Sequence, residues 1–583
     1  MDLDGRVLRG SSRRGRPALA RRSRRRAGSS TSARRAKPVA ILQPQHASDR
    51  RSAGALRRGT RDARTGGLEC VRGSRPPGAA RAGRDANPWR RRPRRTFRPY
   101  STDFYLFALL IARTSDDAAA AALESAASRQ ARYLRAIADD AGRLPLLGDD
   151  DGGQLWPVCG RPAADAAPTL ALAAAVLGDP SLAVCAPPEE TYWILGRAPD
   201  VSVIEGARAA WPSQVLPHSG YFVSRTPAGD HLLFDAGPHG FLNGGHAHSD
   251  ALSIVLTVAG RPVLVDPGTA TYTMDAAMRD RFRSTRMHNT VVLDGREHVA
   301  PSGPFHWSGG PAGRFTISRT AAGFDFVEGT HDAYAGSAHV RSIVSLHDFG
   351  WLIVDHVAGD DDVTAEAWWH LHPSWTPSIR DHVLDLIAHD GQRLGFATTA
   401  TDVTVIGPGD PSGLSAFAPE YGRVEHGYAV RTVTRGHAPF VIVTFVTAPA
   451  RRTESLRLSV QPAETSAGDD WRTCVATVRL NQMSIAALLA TPVSSDLGPD
   501  AAPATRWGGA GVRTDARVAV VRFEQGTAAV ASLVNGSQVE IADPRAGLAL
   551  ATRVPAFHGS LRPALASAVH QVEPSERLVT EAL

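Results

Sequence analysis

Short runs of alternating apolar and polar residues begin after about residue 215 and constrain the fold of this chain more than any other feature. Tyr221–Arg225 and His231–Asp235 are two such runs, and the stretch 226–230 between them reads Thr-Pro-Ala-Gly-Asp, a turn sequence. Together they predict a β-hairpin. Further strands are predicted at 252–258, 262–265, 290–293, 314–318, 324–328, 340–346, 351–357 and 363–370, with weaker ones at 441–446, 474–480, 518–523 and 528–533. Many short strands at this spacing indicate antiparallel sheets packed as a sandwich.

Helical segments precede these strands. The first begins near Ser101, after which almost every residue to Ile111 is apolar, a pattern typical of a helix buried among other helices. A second helix is predicted at 116–138 and a third at 164–177. Three helices are few for a helical domain with its own core, so they are interpreted as the end of a larger helical domain.

An acidic, glycine-rich stretch at 147–153 separates the second helix from the third. It lacks the alternating ligand positions and the closing Glu of an EF-hand calcium loop. We therefore predict a solvated turn at 147–153 rather than a calcium site.

Charge divides the chain into two chemically different parts. Residues 1–100 hold 28 Arg and one Lys against six Asp or Glu, a net charge of about +23, which leaves about −16 for the remainder of a chain whose total is +7. The basic part has no apolar periodicity and cannot bury a core. A GC-rich coding region translated in the wrong frame or from a wrong start would give this composition; the alternatives are a disordered basic extension and an arm that binds nucleic acid. Without interleaved aromatic residues or a recognition fold, nucleic-acid binding is the least favoured.

Neither a membrane span nor a signal peptide is predicted. The densest apolar stretch, 104–112, is about nine residues long, against roughly 20 needed to cross a bilayer. The amino terminus is basic but has no apolar core of the kind that a signal peptide requires. The four cysteines are scattered, with neither zinc-ligand spacing nor the density of a disulfide framework.

The candidate chemistry is concentrated between residues 243 and 290. His246, His248, Asp250, Asp266 and His288 lie within about 40 positions of one another, interleaved with strand-like and turn-like sequence. Imidazole and carboxylate groups in this number build either a metal site or a proton-transfer site. If 252–258 and 262–265 form a tight hairpin, a straight strand would put His248 about 17 Å beyond Asp266. A shared site therefore requires the segment before residue 252 to fold back.

Three motifs in this region, taken together, resemble the heparinase II/III-like family of polysaccharide lyases. They are the stretch 243–253, Asn-Gly-Gly-His-Ala-His-Ser-Asp-Ala-Leu-Ser, the stretch 260–269, Gly-Arg-Pro-Val-Leu-Val-Asp-Pro-Gly-Thr, and the stretch 288–295, His-Asn-Thr-Val-Val-Leu-Asp-Gly. The resemblance implies an α+β multidomain fold: a truncated (α/α) toroid remnant followed by an antiparallel β-sandwich, with the active site between them. The expected domains are the Arg-rich segment 1–98, the end of a toroid at 99–200, the β-sandwich at 201–460 and further β-strands at 461–583.

The resemblance implies cleavage of a uronic-acid-containing polysaccharide, glycosaminoglycan or alginate-like, by β-elimination. In this reaction a base removes the proton beside the uronate carboxylate, and an acid protonates the departing glycosidic oxygen. By resemblance His246 lies in the substrate cleft, where it either assists the base or binds the uronate carboxylate. Tyr272 is the candidate acid, with a core tyrosine as the alternative. Asn243 and Arg286 are the candidate substrate-binding residues, and an ordinary solvent-facing arginine is the alternative for Arg286.

The resemblance also assigns His248, Asp266 and His288 as ligands of a structural Zn²⁺ found in part of the family. Metal-free cleft residues and hydrogen-bonded structural groups are the alternatives for these three side chains. Family members act in the periplasm, at the cell envelope or outside the cell, and the expected partner is an acidic polysaccharide.

One departure from the family pattern lies upstream of the first helix. Phe97 occupies the position where the family has its catalytic tyrosine, although Tyr100 is present, and no toroid Asn or His motif is found further upstream. The sequence therefore supports two functions of different class. One is a polysaccharide lyase, incomplete in this chain, and the other is a non-catalytic carbohydrate-binding protein or remnant of such a lyase.

Overall fold

The computed structural model describes residues 98–155, 160–199, 211–240, 243–449, 455–494, 496–542 and 547–561, all within one compact unit, Arg84–Leu583. The α-helices in these ranges are α1 Arg98–Thr114, α2 Ala120–Ile137, α3 Ala167–Leu177, α4 Glu189–Leu195 and α5 Ala276–Phe282, with 3-10 turns at Pro180–Leu182 and Thr285–Met287. None of these helices combines the length and the hydropathy needed to cross a membrane. Phe97 lies outside the described residues.

The helices before the β region pack in one group. Leu106 and Leu109 of α1 are fully buried against α2 and α3. Phe104 and Ile111, on the other side of α1, are 45% and 50% exposed. The expectation of a helix buried on every face is therefore wrong, because α2 and α3 cover only one side of α1 within the described ranges.

The strands run from residue 214 to residue 560. They are β1 Gln214–Leu216, β2 Tyr221–Arg225, β3 His231–Asp235, β4 Ile254–Val258, β5 Arg261–Leu264, β6 Val291–Leu293, β7 Pro301–Gly303, β8 His306–Trp307, β9 Arg314–Ala321, β10 Phe324–His331, β11 Ala338–Leu346, β12 Gly350–Ala358, β13 Asp362–Leu371, β14 Trp375–Arg380, β15 Val383–Ala388, β16 Arg393–Thr398, β17 Asp402–Ile406, β18 Ala416–Glu420, β19 Arg423–His426, β20 Tyr428–His437, β21 Phe440–Thr447, β22 Arg457–Gln461, β23 Trp471–Leu480, β24 Met483–Pro492, β25 Trp507–Gly509, β26 Val512–Thr514, β27 Val518–Glu524, β28 Thr527–Ile541 and β29 Gly547–Ser560.

These strands form three large sheets and two small hairpins. Sheet 1 has the order β1-β2-β3-β4-β5-β13-β20-β17, with β6 paired to β13. Sheet 2 has the order β14-β15-β16-β21-β12-β11-β10-β9, and sheet 3 has the order β22-β23-β24-β27-β28-β26-β25, with β29 paired to β28. The hairpins β7–β8 and β18–β19 stand apart from the sheets. The named strand pairs are antiparallel, as the short alternating runs predict.

Alternation along each strand builds a layered stack. On β2, Phe222 points into the core between sheets 1 and 2, where Ile353 from sheet 2 meets it. Its neighbour Val223 points to the opposite face, which packs against Leu134 and Leu170 of the helical segment. A second core lies between sheets 2 and 3. The layers are therefore helices, sheet 1, sheet 2 and sheet 3, and each buried Phe or Ile contributes about 1.5–3 kcal/mol of apolar burial.

Candidate functional site

The loop 243–253, the second part of the connection from β3 to β4, folds back across the end of sheet 1. Leu252 has a positive φ of 58°, a conformation that turns the chain sharply. Its N–H donates to the Asp235 carbonyl at 2.8 Å, and the Ser249 N–H donates to the Arg283 carbonyl at 2.9 Å. These bonds hold the loop against β3 and α5, so the fold-back that a shared metal site requires is present.

The fold-back brings His248, Asp266 and His288 together. Their candidate ligand atoms lie within 4.8 Å of one another, and all three side chains are buried. His288 Nδ1 is 3.0 Å from an Asp266 carboxylate oxygen. Burial alone would lower the pKa of His288, but the Asp266 carboxylate outweighs it and raises that pKa.

Two ring nitrogens of this triad fit a metal ion. His248 Nδ1 and His288 Nε2 are buried and have no hydrogen-bond partner among the described residues. A buried polar atom left without a partner costs about 1–3 kcal/mol. Two neutral imidazole nitrogens and a carboxylate are also the donor set that zinc favours. The buried triad can therefore hold a metal ion.

Asn289 ties the triad to sheet 1. Its amide nitrogen donates to the carbonyls of Ile254 at 2.8 Å and Val265 at 3.0 Å. Its amide oxygen accepts the His370 N–H at 2.6 Å. Because all of these groups are buried, Asn289 clamps β4, the end of β5 and β13 around the position of His288.

Asp149, in the connection between α2 and α3, lies at the centre of the site. Its fully buried carboxylate is 3.3 Å from His246 Nδ1 and 3.1 Å from His248 Nε2. Both terminal nitrogens of Arg279 donate to it, one of them at 2.6 Å. The Thr269 hydroxyl is a further donor at 3.3 Å. Burial would raise the pKa of Asp149, but the hydrogen bonds from His246, His248 and Arg279 lower it far below its ordinary value.

The prediction of a solvated turn at 147–153 is therefore wrong for Asp149, the first carboxylate in this stretch. Residues 147–149 are buried, whereas Asp151 is exposed as predicted. Three consecutive aspartates look alike in the sequence. The partners of Asp149 lie 97 to 130 positions further along the chain, and only the tertiary fold brings them to it.

His246 and Tyr272 adjoin each other, His246 on the exposed side of the site and Tyr272 with its hydroxyl oxygen buried. Their ring centroids are 6.3 Å apart, and the His246 side chain is 39% exposed. The Arg279 guanidinium carbon is 5.1 Å from the Tyr272 ring centroid. The Tyr272 hydroxyl has no hydrogen-bond partner in the part of the chain that the structure describes. Burial, followed by the charges of Asp149 and Asp151, raises the Tyr272 pKa far above its ordinary value.

Aromatic rings surround Tyr272. Phe305, at the tip of hairpin β7–β8, is 5.3 Å away between ring centroids, and Tyr421, at the tip of hairpin β18–β19, is 4.9 Å away. The Tyr272 N–H also donates to the Tyr421 hydroxyl at 3.2 Å. The two small hairpins thus wall the site with apolar ring surface.

The candidate substrate-binding residues lie in different surroundings. Asn243 is exposed on the loop; its side chain accepts the Gly245 N–H at 3.3 Å and donates to the Phe305 carbonyl at 3.4 Å. Arg286 faces two carboxylates, Glu297 at 3.6 Å and Glu366 at 3.7 Å. Asn243 therefore lies at the rim near Tyr272, whereas Arg286 already has anionic partners.

Arg279 is a site residue that the sequence reasoning missed. Asp275 caps α5 by accepting the Met278 N–H at 2.9 Å, and Arg279 lies in the last turn of this seven-residue helix. Arg283 lies one turn later, and both guanidinium groups donate to the Pro304 carbonyl. The spacing of four between the arginines was visible in the sequence and indicates one helix face. The pairing of Arg279 with the buried Asp149 carboxylate was not visible in the sequence.

Comparison with known proteins identifies the β region. The family described as "Heparinase II/III-like, C-terminal" matches residues 208–439, which contain the loop, the triad and both aromatic hairpins. Residues 208–439 are therefore similar to the C-terminal domain of this family. A heparin-sulfate lyase of Pedobacter heparinus is 24% identical over 179 residues, which are 30% of this chain and 25% of that protein.

Solved structures show a similar fold over about two thirds of the chain. The heparan sulfate lyase HepC from Pedobacter heparinus superposes with a TM-score of 0.51 at 16% identity, over 68% of this chain and 58% of that one. A heparinase III gene product gives a TM-score of 0.50 at 14% identity, with the same two coverages. The chain thus spans about a quarter of the curated relative and less than two thirds of these lyases.

These findings bear on the sequence predictions in different ways. The family resemblance and the α+β fold with an antiparallel β-sandwich are confirmed. The domain limits and the roles of His246, Tyr272, Asn243 and Arg286 stay predictions. The Arg-rich segment 1–98 lies outside the described residues apart from Arg98.

Proposed function

We propose that this chain forms part of a polysaccharide lyase that cleaves a uronic-acid-containing polysaccharide by β-elimination. One observation carries the proposal: His246 and Tyr272 adjoin each other at an open, aromatic-walled site, 6.3 Å apart between ring centroids. The names of the similar proteins, heparin-sulfate and heparan sulfate lyases, favour the same reaction class and an acidic glycosaminoglycan as substrate.

The two side chains suit opposite halves of the reaction. The base takes the proton from the carbon beside the uronate carboxylate, and the electron pair left behind forms a carbon–carbon double bond. The bond to the glycosidic oxygen breaks as that oxygen takes a proton from the acid. Tyr272, whose pKa is raised by burial, keeps its proton at neutral pH and suits the acid. His246 suits the base, because imidazole accepts a proton in this pH range.

The uronate carboxylate has to be neutralised before the neighbouring proton can leave. Asn243, exposed beside Phe305 at the rim, is the proposed amide donor to this carboxylate. Arg286 is the second proposed partner, and it has to share its guanidinium with Glu297 and Glu366 to take this role.

The metal ion proposed for the triad is zinc. Zinc bound by His248, Asp266 and His288 would stiffen the loop that carries His246, and it would supply no reacting group. The buried nitrogens His248 Nδ1 and His288 Nε2, without partners among the described residues, support this assignment.

The alternative is a carbohydrate-binding protein without catalysis, which the burial of the Tyr272 hydroxyl oxygen favours. The test is incubation with heparan sulfate, hyaluronan and alginate while ultraviolet absorbance reports the unsaturated uronate product. We expect absorbance to rise when the unaltered chain is added. The rate of this rise should be about 10²–10⁴-fold lower in Tyr272→Phe. It should be unchanged in the control variant His437→Ala, because the His437 side chain is 69% exposed. Saccharide binding without any product would establish the alternative.

A further inference from the structure

We propose that Asp149 is a positioning residue that fixes which nitrogen of His246 and which nitrogen of His248 carries the proton. Its two carboxylate oxygens serve different histidines: Oδ2 faces His246 Nδ1 and Oδ1 faces His248 Nε2. The part that concerns His246 rests on the proposed function. The part that concerns His248 rests on the metal triad alone.

The direction of the two hydrogen bonds follows from the charge of Asp149. An ionised carboxylate only accepts hydrogen bonds, so both facing ring nitrogens must be N–H groups. His248 therefore holds its proton on Nε2 and its lone pair on Nδ1. His246 holds its proton on Nδ1 and its lone pair on Nε2.

The surroundings of Asp149 keep it ionised. Arg279 is 1% exposed and donates to both oxygens of the carboxylate, the bidentate geometry that binds carboxylates most strongly. The Thr269 hydroxyl and the two imidazoles add donors. A buried charge with this many donors is stable as an anion, so the direction of the hydrogen bonds does not reverse.

An independent observation agrees with the assignment for His248. The nitrogen left with a lone pair, Nδ1, is the buried atom that has no partner among the described residues. His248 also belongs to the triad whose ligand atoms gather within 4.8 Å. A carboxylate that receives the second N–H of a metal-binding histidine is the usual way in which proteins orient such a ligand.

Asp149 also joins two parts of the fold. It lies on the α2–α3 connection, and its N–H donates to the His246 carbonyl at 3.0 Å. His246 and His248 lie on the β3–β4 loop, and Arg279 lies on α5. One carboxylate from the helical segment therefore orients a metal ligand and a proton acceptor of the β domain, so both properties should change together when it is altered.

The test is the variant Asp149→Asn, which keeps the size of the side chain but replaces one acceptor oxygen with a donor. At least one histidine must then change the nitrogen that carries its proton. We expect zinc affinity, measured by competition with a chromogenic chelator, to fall about 10–100-fold. We expect kcat to fall about 10²–10⁴-fold with KM little changed, the loss expected when a catalytic histidine is held in the wrong tautomer. Asp165→Asn is the matched control, because among the described residues the Asp165 carboxylate accepts a hydrogen bond only from the Ala167 N–H.

Unchanged zinc affinity in a folded Asp149→Asn protein would overturn the role at His248, and unchanged kcat would overturn the role at His246. If the variant does not fold, neutron diffraction from the unaltered protein decides the same question. Deuterium on His248 Nε2 and His246 Nδ1 is expected, and deuterium on the opposite nitrogens would overturn the proposal. Inactivity of the unaltered protein would instead count against the proposed lyase function, and the zinc and neutron results would still decide the role of Asp149.

Discussion

Arg341 lies fully buried on β11, and its replacement is the perturbation whose cost the structure defines most clearly. Its guanidinium donates to Asp355 from Nε at 2.7 Å and from NH2 at 3.1 Å. Its third nitrogen donates to the Leu252 carbonyl at 2.9 Å and to the Asn289 carbonyl at 2.6 Å. Arg341 thus reaches from sheet 2 to the loop that carries His248 and to Asn289, the residue that follows the candidate metal ligand His288.

Arg341→Met keeps the apolar stem and removes these donors. Leaving the buried Asp355 carboxylate without its arginine costs about 3–5 kcal/mol. Two carbonyls lose donors as well, so we expect a total of about 5 kcal/mol. The unfolding midpoint in urea should fall by this loss divided by the urea slope of the chain, which grows with the surface exposed on unfolding. Tryptophan fluorescence during urea titration measures this shift.

Two comparisons sharpen the test. Arg435 pairs with Asp402 at 3.0 Å, but the two side chains are 62% and 60% exposed. Arg435→Met should therefore cost no more than about 1 kcal/mol. Adding Asp355→Asn to Arg341→Met should recover part of the loss, because it removes the uncompensated charge. A loss below about 1 kcal/mol for Arg341→Met would refute the reasoning.

Three further predictions concern acid, metal and the aromatic wall. Burial lowers the pKa of His356 to about 4 and that of His298 to about 3, against about 6.5 when unfolded. The unfolded chain therefore binds more protons than the folded one below about pH 6.5. As pH drops from 6.5 towards 4, the free energy of unfolding should fall by up to about 1.4 kcal/mol per pH unit for each histidine. Urea titrations at several pH values measure this fall, and a free energy of unfolding that does not change with pH would contradict it. His288→Ala should lose bound zinc by elemental analysis, whereas retention of full zinc would exclude His288 as a ligand. Phe305→Ala should raise KM more than it lowers kcat in the ultraviolet assay, and an unchanged KM would exclude a binding role for that ring.

Local patterns were sufficient for much of the fold. The ends of Tyr221–Arg225 and His231–Asp235 agree with the structure, because the Thr-Pro-Ala-Gly-Asp turn sequence between the two runs sets where one strand ends and the next begins. The spacing of His248 and Asp266 required a folded-back loop if the two residues were to share a site, and the structure brings them together. The order of strands, by contrast, depends on pairings between distant segments, such as β5 with β13, that no local pattern contains.

Only part of the candidate site could be predicted, because local patterns do not show which distant residues the fold brings together. The triad lies within 41 consecutive residues that carry recognisable motifs, so its members could be named from the sequence. Asp149 lies about 100 positions away in an acidic run whose members look alike, and its importance arises from four donors brought to it by the fold. Arg279 was hidden for a related reason, because its partner is Asp149.

The central claim, that His246 and Tyr272 form the reacting pair of a polysaccharide lyase, is tested most directly by the ultraviolet absorbance of digests with uronate polysaccharides. The account predicts that absorbance of an unsaturated uronate appears with the unaltered chain and is abolished in His246→Ala, while His437→Ala behaves like the unaltered chain. New reducing ends without this absorbance would mean hydrolysis, and an undiminished rate in His246→Ala would mean that the reaction occurs elsewhere. Either result would contradict the account.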